Sequence, residues 1–274
     1  MAQPPLSVAI RKLEEEVGAP LFKRKSRGVQ LTPAGLAALQ AAQRCLALAQ
    51  EVSSAAKTAA SGESGQLRVG FVGSATCSLL PRLLPAFRAR YPQVKLVLRE
   101  GANLELLTLI ENDHIDVGLV RYPTVSASPL QFEVIERDQF CAVMPVDHPL
   151  AKQRSVSLQA LSLEPFVDYA STQVPGLHAM VMLAFQQAGV VPRVMQEATQ
   201  VQTVLSLVAS GMGVALVPSV SARLASKRLV FRPIKGLPAS AAIALAMAFH
   251  TRNENPVLQR FREITQGLSA EIGA

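Results

Sequence analysis

The sequence predicts an α/β protein carrying a helical head, and three observations predict it. From Gln66 onward, short β-rich runs alternate with helix-period patterns, the arrangement of strands covered by helices. Ahead of them lies one long amphipathic segment, rich in Ala and Gln, over residues 33–60. Ahead of that again, a shorter helical pattern runs into a basic hairpin pattern.

The head begins with Pro4 and Pro5, which suit a first helical turn because the missing backbone N–H has no partner there anyway. Leu6, Ile10, Leu13 and Val17 then recur at helical spacing, with Arg11, Lys12, Glu14 and Glu15 largely off that stripe, and Gly18 ends the helix. Leu21 and Phe22 lead into Lys23, Arg24, Lys25 and Arg27, Gly28 supplies a turn, and Val29 and Leu31 return as an alternating strand. Thr32 before Pro33 marks a new helix start, after which Leu36, Leu39, Ala42, Leu46, Ala49 and Val52 recur at steps of three and four. The small and polar residues from Ser61 to Gly65 predict its end and a flexible joint.

Beyond the joint, buried strands are predicted at 67–72, 94–98 and 116–120, with helices at 79–90 and 103–112, and a parallel sheet follows from that alternation. A second set comprises strands at 141–146, 165–169 and 214–218 and helices near 177–188 and 201–210. A strand at 243–249 and a helix over roughly 255–267 close the chain. Two such lobes would face one another across a cleft, where open sheets bind ligands at strand ends and helix starts.

Composition bounds the function. The 274 residues are 49% hydrophobic and 17% charged, with no unbroken apolar run of membrane-spanning length, so no membrane partner is expected. The amino terminus has no secretion pattern, and Cys45, Cys77 and Cys141 form no C-x-x-C pairing, so reduced thiols and a cytoplasmic location are expected. The net charge of +7 permits a nucleic-acid partner. Residues 1–65 hold eight Lys and Arg against five Asp and Glu, residues 66–274 nineteen against fifteen, so basic density is higher in the head.

The head also carries a specific order of residues: Gln3-Pro4-Pro5-Leu6-Ser7, Leu13-Glu14-Glu15-Glu16, Gly18, Pro20-Leu21-Phe22, Arg24, Gly28, Leu31-Thr32 and Gly35. It is followed by Leu79-Leu80-Pro81, Phe87, Tyr91-Pro92, Asp116-Val117-Gly118, His148-Pro149-Leu150, Gly211-Met212-Gly213-Val214 and Val217-Pro218. In these motifs the chain resembles LysR-type transcriptional regulators over nearly its whole length. The resemblance implies a two-lobed periplasmic-binding-protein-like effector domain, preceded by a partial winged helix-turn-helix and a long dimerisation helix. It implies a DNA-binding region over 1–34, helix and joint over 35–65 and an effector domain over 66–274, with one lobe at about 66–140 and 243–274 and the other at about 141–242. It further implies two helices ahead of residue 3, so an amino-terminally shortened head with impaired DNA binding is expected, or else a start upstream of Met1.

By that resemblance residues 3–17 are a recognition helix lying in the major groove of double-stranded operator DNA. Gln3, Pro4, Pro5, Ser7 and Arg11 are the candidates for base edges, since Gln and Arg can bond bidentately and prolines can meet thymine methyls. Lys12 and the hairpin residues Lys23, Arg24, Lys25 and Arg27 would neutralise phosphates. A basic cluster alone is more often a solvated turn; here the flanking motif favours the functional reading. The helix at 33–60 would join a homodimer or homotetramer, matching a palindromic operator; packing on its own domain is the bland alternative.

The expected effector site lies between the lobes. Gly73, Ser74, Ala75 and Thr76 follow the first strand, Asn103 the second and Arg121 the third, while Ser171, Thr172, Thr199, Gln200, Gln202 and Pro218 stand at strand ends or helix starts of the other lobe. Hydroxyls and helix-start N–H groups favour a small carboxylate, held by Ser74, Thr76 and Thr172 with Arg121 as countercharge. Each hydroxyl could equally be an ordinary helix cap. No cofactor, metal site or catalytic residue is expected. Cys77 lacks a Cys-His signature, the four histidines are scattered, and Gly211-x-Gly213 lacks the third glycine of a dinucleotide fingerprint. The alternative function is a solute-binding sensor without a DNA role.

Overall fold

The computed structural model describes residues 3–25, 28–124, 129–224 and 226–272. The chain divides into two compact units, Met1–Thr58 and Ala59–Ala274.

In the first unit, helix α1 spans Gln3–Val17 and stops where Gly18 takes a positive φ of 71°, a conformation that costs glycine nothing. Strands β1 (Phe22–Lys25) and β2 (Gly28–Leu31) pair antiparallel, with Phe22 opposite Leu31 and Lys25 opposite Gly28. Helix α2 spans Pro33–Ala60. Thr32 caps it: its hydroxyl accepts from the Gly35 N–H at 2.8 Å and donates to the Pro20 carbonyl at 2.7 Å. The Glu14 carboxylate accepts from the N–H groups of Leu21 (2.7 Å) and Phe22 (3.0 Å), so a residue off the apolar stripe ties α1 to the hairpin.

The second unit runs through β3 (Ser64–Phe71), α3 (Leu79–Arg90), β4 (Gln93–Glu100), α4 (Asn103–Glu111), β5 (Val117–Tyr122) and β6 (Gln131–Asp138). It continues through β7 (Phe140–Pro145), β8 (Val156–Ser157), α5 (Leu158–Ser162), β9 (Pro165–Tyr169), α6 (Pro175–Gln187), β10 (Arg193–Ala198), α7 (Val201–Ala209), β11 (Ala215–Pro218) and β12 (Leu229–Lys235). Strand β13 (Ile243–Phe249) and helix α8 (Pro256–Ile272) return to the first lobe. Among the described residues no helix is long and apolar enough to cross a membrane.

Lobe I is built on a sheet of order β4-β3-β5-β13-β6, and lobe II on one of order β11-β7-β12-β8, to which the β9–β10 pair is joined by a bridge between Phe166 and Val214. Each lobe has its own core. In lobe I Phe87 stacks between Tyr91 and Phe261, each ring 5.2 Å away; in lobe II Phe166 meets Phe185 edge-on at 5.2 Å.

The parallel sheet expected from the first three strands is present, and the strands outside that set run differently. Strands β4, β3 and β5 are parallel, but β13 runs antiparallel to both β5 and β6, and β7 antiparallel to both β11 and β12. The reason is connectivity: β13 enters lobe I from lobe II rather than through a helical crossover, so nothing forces it parallel. The flexible joint is also shorter than expected. Ser64 and Gly65 already pair with Gln93 and Val94 in the sheet, Ser61 accepts from Arg260 at 3.0 Å, and Gly62 leaves no room for a Cβ beside the Pro256 carbonyl.

Candidate functional site

In the head, α1 presents Arg11 and Lys12 to solvent with Ser7 half-buried, and Gln3, Pro4 and Pro5 form its first turn. On the hairpin Lys23 is exposed, and Arg24 and Lys25 follow it along β1. Arg27 lies outside the described residues. Among the described residues no carboxylate pairs with Arg11, Lys12 or Lys23, leaving their charges free for an external anion.

Between the lobes lies an open cleft of about 600 Å3, walled by Gly101, Ala102, Leu104, Glu105 and Thr108 on one side and Thr172, Gln173, Thr199 and Gln200 on the other. It adjoins an inner chamber of about 20 Å3, room for one water, lined by Ser74, Asn103, Arg121, Val174, Leu177 and Val201 together with Ala102, Thr199 and Gln200. Three helices begin at these cavities: α4 after Ala102, α6 after Val174 and α7 after Gln200. None has a side-chain cap. Their first N–H groups therefore lack the partners that capping residues supply, and three helix starts border one space, that of α4 with Glu105 in its first turn.

Below this chamber sits Arg121, 4% exposed. Its Nε donates to Ser74 Oγ at 3.0 Å and its Nη1 to Asp138 Oδ2 at 3.1 Å, while Nη2 is buried without a partner. Burial pushes the guanidinium pKa below its ordinary value, and the Asp138 carboxylate opposes that shift. Asn103 clamps the backbone of Arg121 from both sides, accepting its N–H at 2.7 Å and donating to its carbonyl at 3.2 Å. The same burial drives the Tyr169 hydroxyl upward in pKa, and that hydroxyl also lacks a partner.

The expected site residues thus separate. Thr172, Thr199 and Gln200 line the open cleft, and Ser74, Asn103 and Arg121 the inner chamber. Gly73 stands at the lobe junction, where Gln202 Nε2 donates to its carbonyl at 3.1 Å. Ala75 is fully buried. Thr76, Ser171 and Pro218 line neither cavity: Thr76 donates its hydroxyl to the Gly73 carbonyl at 2.6 Å, and Pro218 pairs with Phe140 in the lobe II sheet. Gly73 to Cys77 form a short 3-10 turn ahead of α3, so their N–H groups are not the start of that helix. Gly101, Ala102, Glu105, Thr108 and Gln173 were not foreseen, although a Gly-Ala pair between a strand and a helix start is a signal for a cleft edge.

Comparison with known proteins agrees with this architecture. Residues 1–36 match the bacterial regulatory helix-turn-helix model of the lysR family, and residues 60–269 match the LysR substrate binding domain. The chain is 36% identical to the Hca operon transcriptional activator HcaR of Escherichia coli over 100% of its length and 91% of that protein's. It is 34% identical to the regulator AlsR of Bacillus subtilis over 97% of its length and 87% of that protein's. Among solved structures, CbnR superposes with a TM-score of 0.85 at 25% identity, covering 97% of this chain and 91% of CbnR. Full-length BenM superposes at 0.67 and 28% identity, covering 100% and 89%. These proteins are transcriptional regulators, and with both characteristic domains matched in order, the chain belongs to the LysR family of helix-turn-helix transcriptional regulators and carries that family's effector-binding domain.

Proposed function

We propose that this regulator answers to a small organic acid bound between its lobes. The observation that carries the reading is the convergence of the uncapped starts of α4, α6 and α7 on the cleft and its inner chamber. Helix starts of this kind favour a carboxylate by roughly 0.3–1 kcal/mol each, more where water is excluded. Thr172 and Thr199 contribute hydroxyls that make no hydrogen bond among the described residues, Gln200 an amide, and Ser74 and Arg121 the polar floor. Leu104, Leu109 and Leu177 supply apolar wall for the body of the acid. A relative of known structure, the effector-binding domain of BenM, has been solved with its effector benzoate, which supports an organic acid here.

On the DNA side, α1 reads the major groove through Gln3, Pro4, Pro5, Ser7 and Arg11, while Lys12 and the hairpin residues Lys23, Arg24, Lys25 and Arg27 meet phosphates. Full-length CbnR has been solved in complex with its target DNA. Helix α2 pairs with its counterpart in a second copy, because Leu36, Leu39, Leu46 and Val52 stand exposed along it, the first three at heptad spacing. The working division is DNA binding over 1–34, pairing helix and joint over 35–65, and effector sensing over 66–274.

Calorimetry with a panel of organic acids tests the effector assignment, using wild type and Thr199→Val. At least one acid should bind the wild type with one site per chain and the variant about tenfold more weakly, the worth of one hydrogen bond to a charged group. Equal affinity in both proteins sinks the assignment.

A further inference from the structure

A second cavity, of about 360 Å3, shares Arg121 with the inner chamber and no other residue with either part of the cleft. Its inner wall is buried, formed by Ser78, Arg121 and Glu136, and its rim carries Arg137 and Arg223 in solvent. Four guanidinium groups, those of Arg82, Arg121, Arg137 and Arg223, face two carboxylates, Glu136 and Asp138. Both carboxylates are already engaged, Glu136 with Arg82 at 3.1 Å and Asp138 with Arg121 at 3.1 Å. Among the described residues Arg137 and Arg223 pair with no carboxylate. The Nη2 of Arg121 is a buried donor with no acceptor. Two unbalanced positive charges and an unmet buried donor around one cavity are the complement of a doubly charged oxyanion.

We propose that this cavity is a second ligand site, distinct from the cleft, for a small dianion whose charge sits on oxygen, phosphate or a short dicarboxylate. Its position makes it regulatory. Arg137 belongs to β6 of lobe I, while Arg223 and Ser219 belong to the turn after β11 in lobe II. The lobes already touch here: Ser219 donates to Asp138 Oδ1 through its N–H at 3.1 Å and its hydroxyl at 2.6 Å, and Arg223 Nη1 donates to Ser78 Oγ at 2.8 Å. A dianion held by both rim arginines adds a third link and favours the lobe arrangement that presents them together. Because Arg121 borders both cavities, occupancy of one is coupled to affinity in the other, and the coupling is reciprocal.

Calorimetry on the full chain at low ionic strength tests this with inorganic phosphate, succinate and acetate as titrants, in wild type, Arg137→Gln, Arg223→Gln and the cleft variant Thr199→Val. The expected result is saturable binding of phosphate or succinate, one per chain, at least tenfold weaker in each arginine variant and unchanged in Thr199→Val. Tighter phosphate identifies a phosphate-bearing ligand, tighter succinate a dicarboxylate. No saturable binding of either dianion, acetate binding as tightly as succinate, or arginine variants equal to wild type would overturn the proposal. Loss in Thr199→Val alone would overturn it too, by placing the anion in the cleft and leaving the cleft assignment standing. The Arg137 side chain makes no hydrogen bond or ion pair among the described residues, so Arg137→Gln decides the matter should Arg223→Gln unfold by circular dichroism.

Discussion

Arg121 and Asp138 form an ion pair, Nη1 to Oδ2 at 3.1 Å, in which both side chains are less than a tenth exposed. Removing one partner of such a pair strands the other charge in a poor solvent, at a cost of roughly 3–5 kcal/mol. Arg121→Leu should lower the denaturation midpoint accordingly, and Arg121→Leu with Asp138→Leu should cost less than the two single changes together. Asp138 keeps its bonds from Ser219 and the Gln139 N–H, which softens but does not cancel the loss. Strict additivity in a double-mutant cycle by urea denaturation would show that the pair is not a coupled unit.

In the head, a Cβ built on Gly35 would lie 2.0 Å from the Leu21 carbonyl oxygen, a backbone atom that cannot step aside cheaply. Gly35→Ala should therefore separate the start of α2 from the hairpin and abolish DNA binding in a mobility-shift assay. Glu14→Ala should act in the same direction by leaving the Leu21 and Phe22 N–H groups without their carboxylate, at about 1.5–3 kcal/mol. Both variants should bind effector as the wild type does, and a loss of effector binding would mean a wider unfolding than the contacts imply.

These contacts mark where sequence reasoning stops. Helix α3 and strand β13 were legible to the residue, one from its apolar spacing after Ser78 and the other because all seven of its side chains are buried. Strands β6 and β10 were not: each lies at the edge of its sheet and carries charges such as Glu133, Arg137, Arg193 and Glu197, which hide the alternation. The start of α6 was placed two residues late although Pro175 marks a first helical turn, so one of the three helix ends at the cleft was missed. Asn103 was named as a cleft residue, but its hold on the Arg121 backbone, like that of Asp138 on the Arg121 guanidinium and on Ser219, was beyond reach because those partners lie far away in sequence.

Along α2, Leu46 is 67% and Val52 72% exposed in the single chain, a stripe that costs solubility unless a second copy covers it. Leu39→Glu with Leu46→Glu should convert the assembly to monomers in analytical ultracentrifugation. Effector binding by the second unit should survive, since both changes lie in the first. An unchanged sedimentation coefficient would assign the pairing surface to another part of the chain.

Asp168 is 1% exposed and its Oδ1 has no partner. Burial raises its carboxyl pKa above the ordinary 3.8, against the opposing pull of the Tyr169 N–H and of His178, whose Nδ1 lies 2.8 Å from Oδ2; Glu197 adds to the rise. A carboxyl with a raised folded pKa binds its proton more tightly folded than unfolded. Stability is therefore unaffected where both states are protonated, declines as pH rises past 3.8, and levels off above the folded value. The stability of the wild type relative to Asp168→Asn should fall across that acid window. A difference that is flat with pH, measured by urea denaturation, would show that the carboxyl titrates alike in both states.

A Cβ on Gly73 would lie 2.8 Å from both Gln202 Oε1 and Glu100 Oε1 and 2.9 Å from Gln200 Oε1. All three atoms are far ends of flexible side chains, so Gly73→Ala should fold, with a stability loss of about 1 kcal/mol or less. Its effect should fall instead on the cleft. Gln202 holds the Gly73 carbonyl across the lobe junction, and Gln200 lines both cavities between the lobes. Pushing both aside changes the lobe contact and moves an amide within the space an effector needs. Gly73→Ala should thus weaken effector binding about tenfold while the melting temperature shifts by only a few degrees. The reverse pattern, a large drop in melting temperature with affinity intact, would make Gly73 a packing residue rather than an edge of the binding cleft.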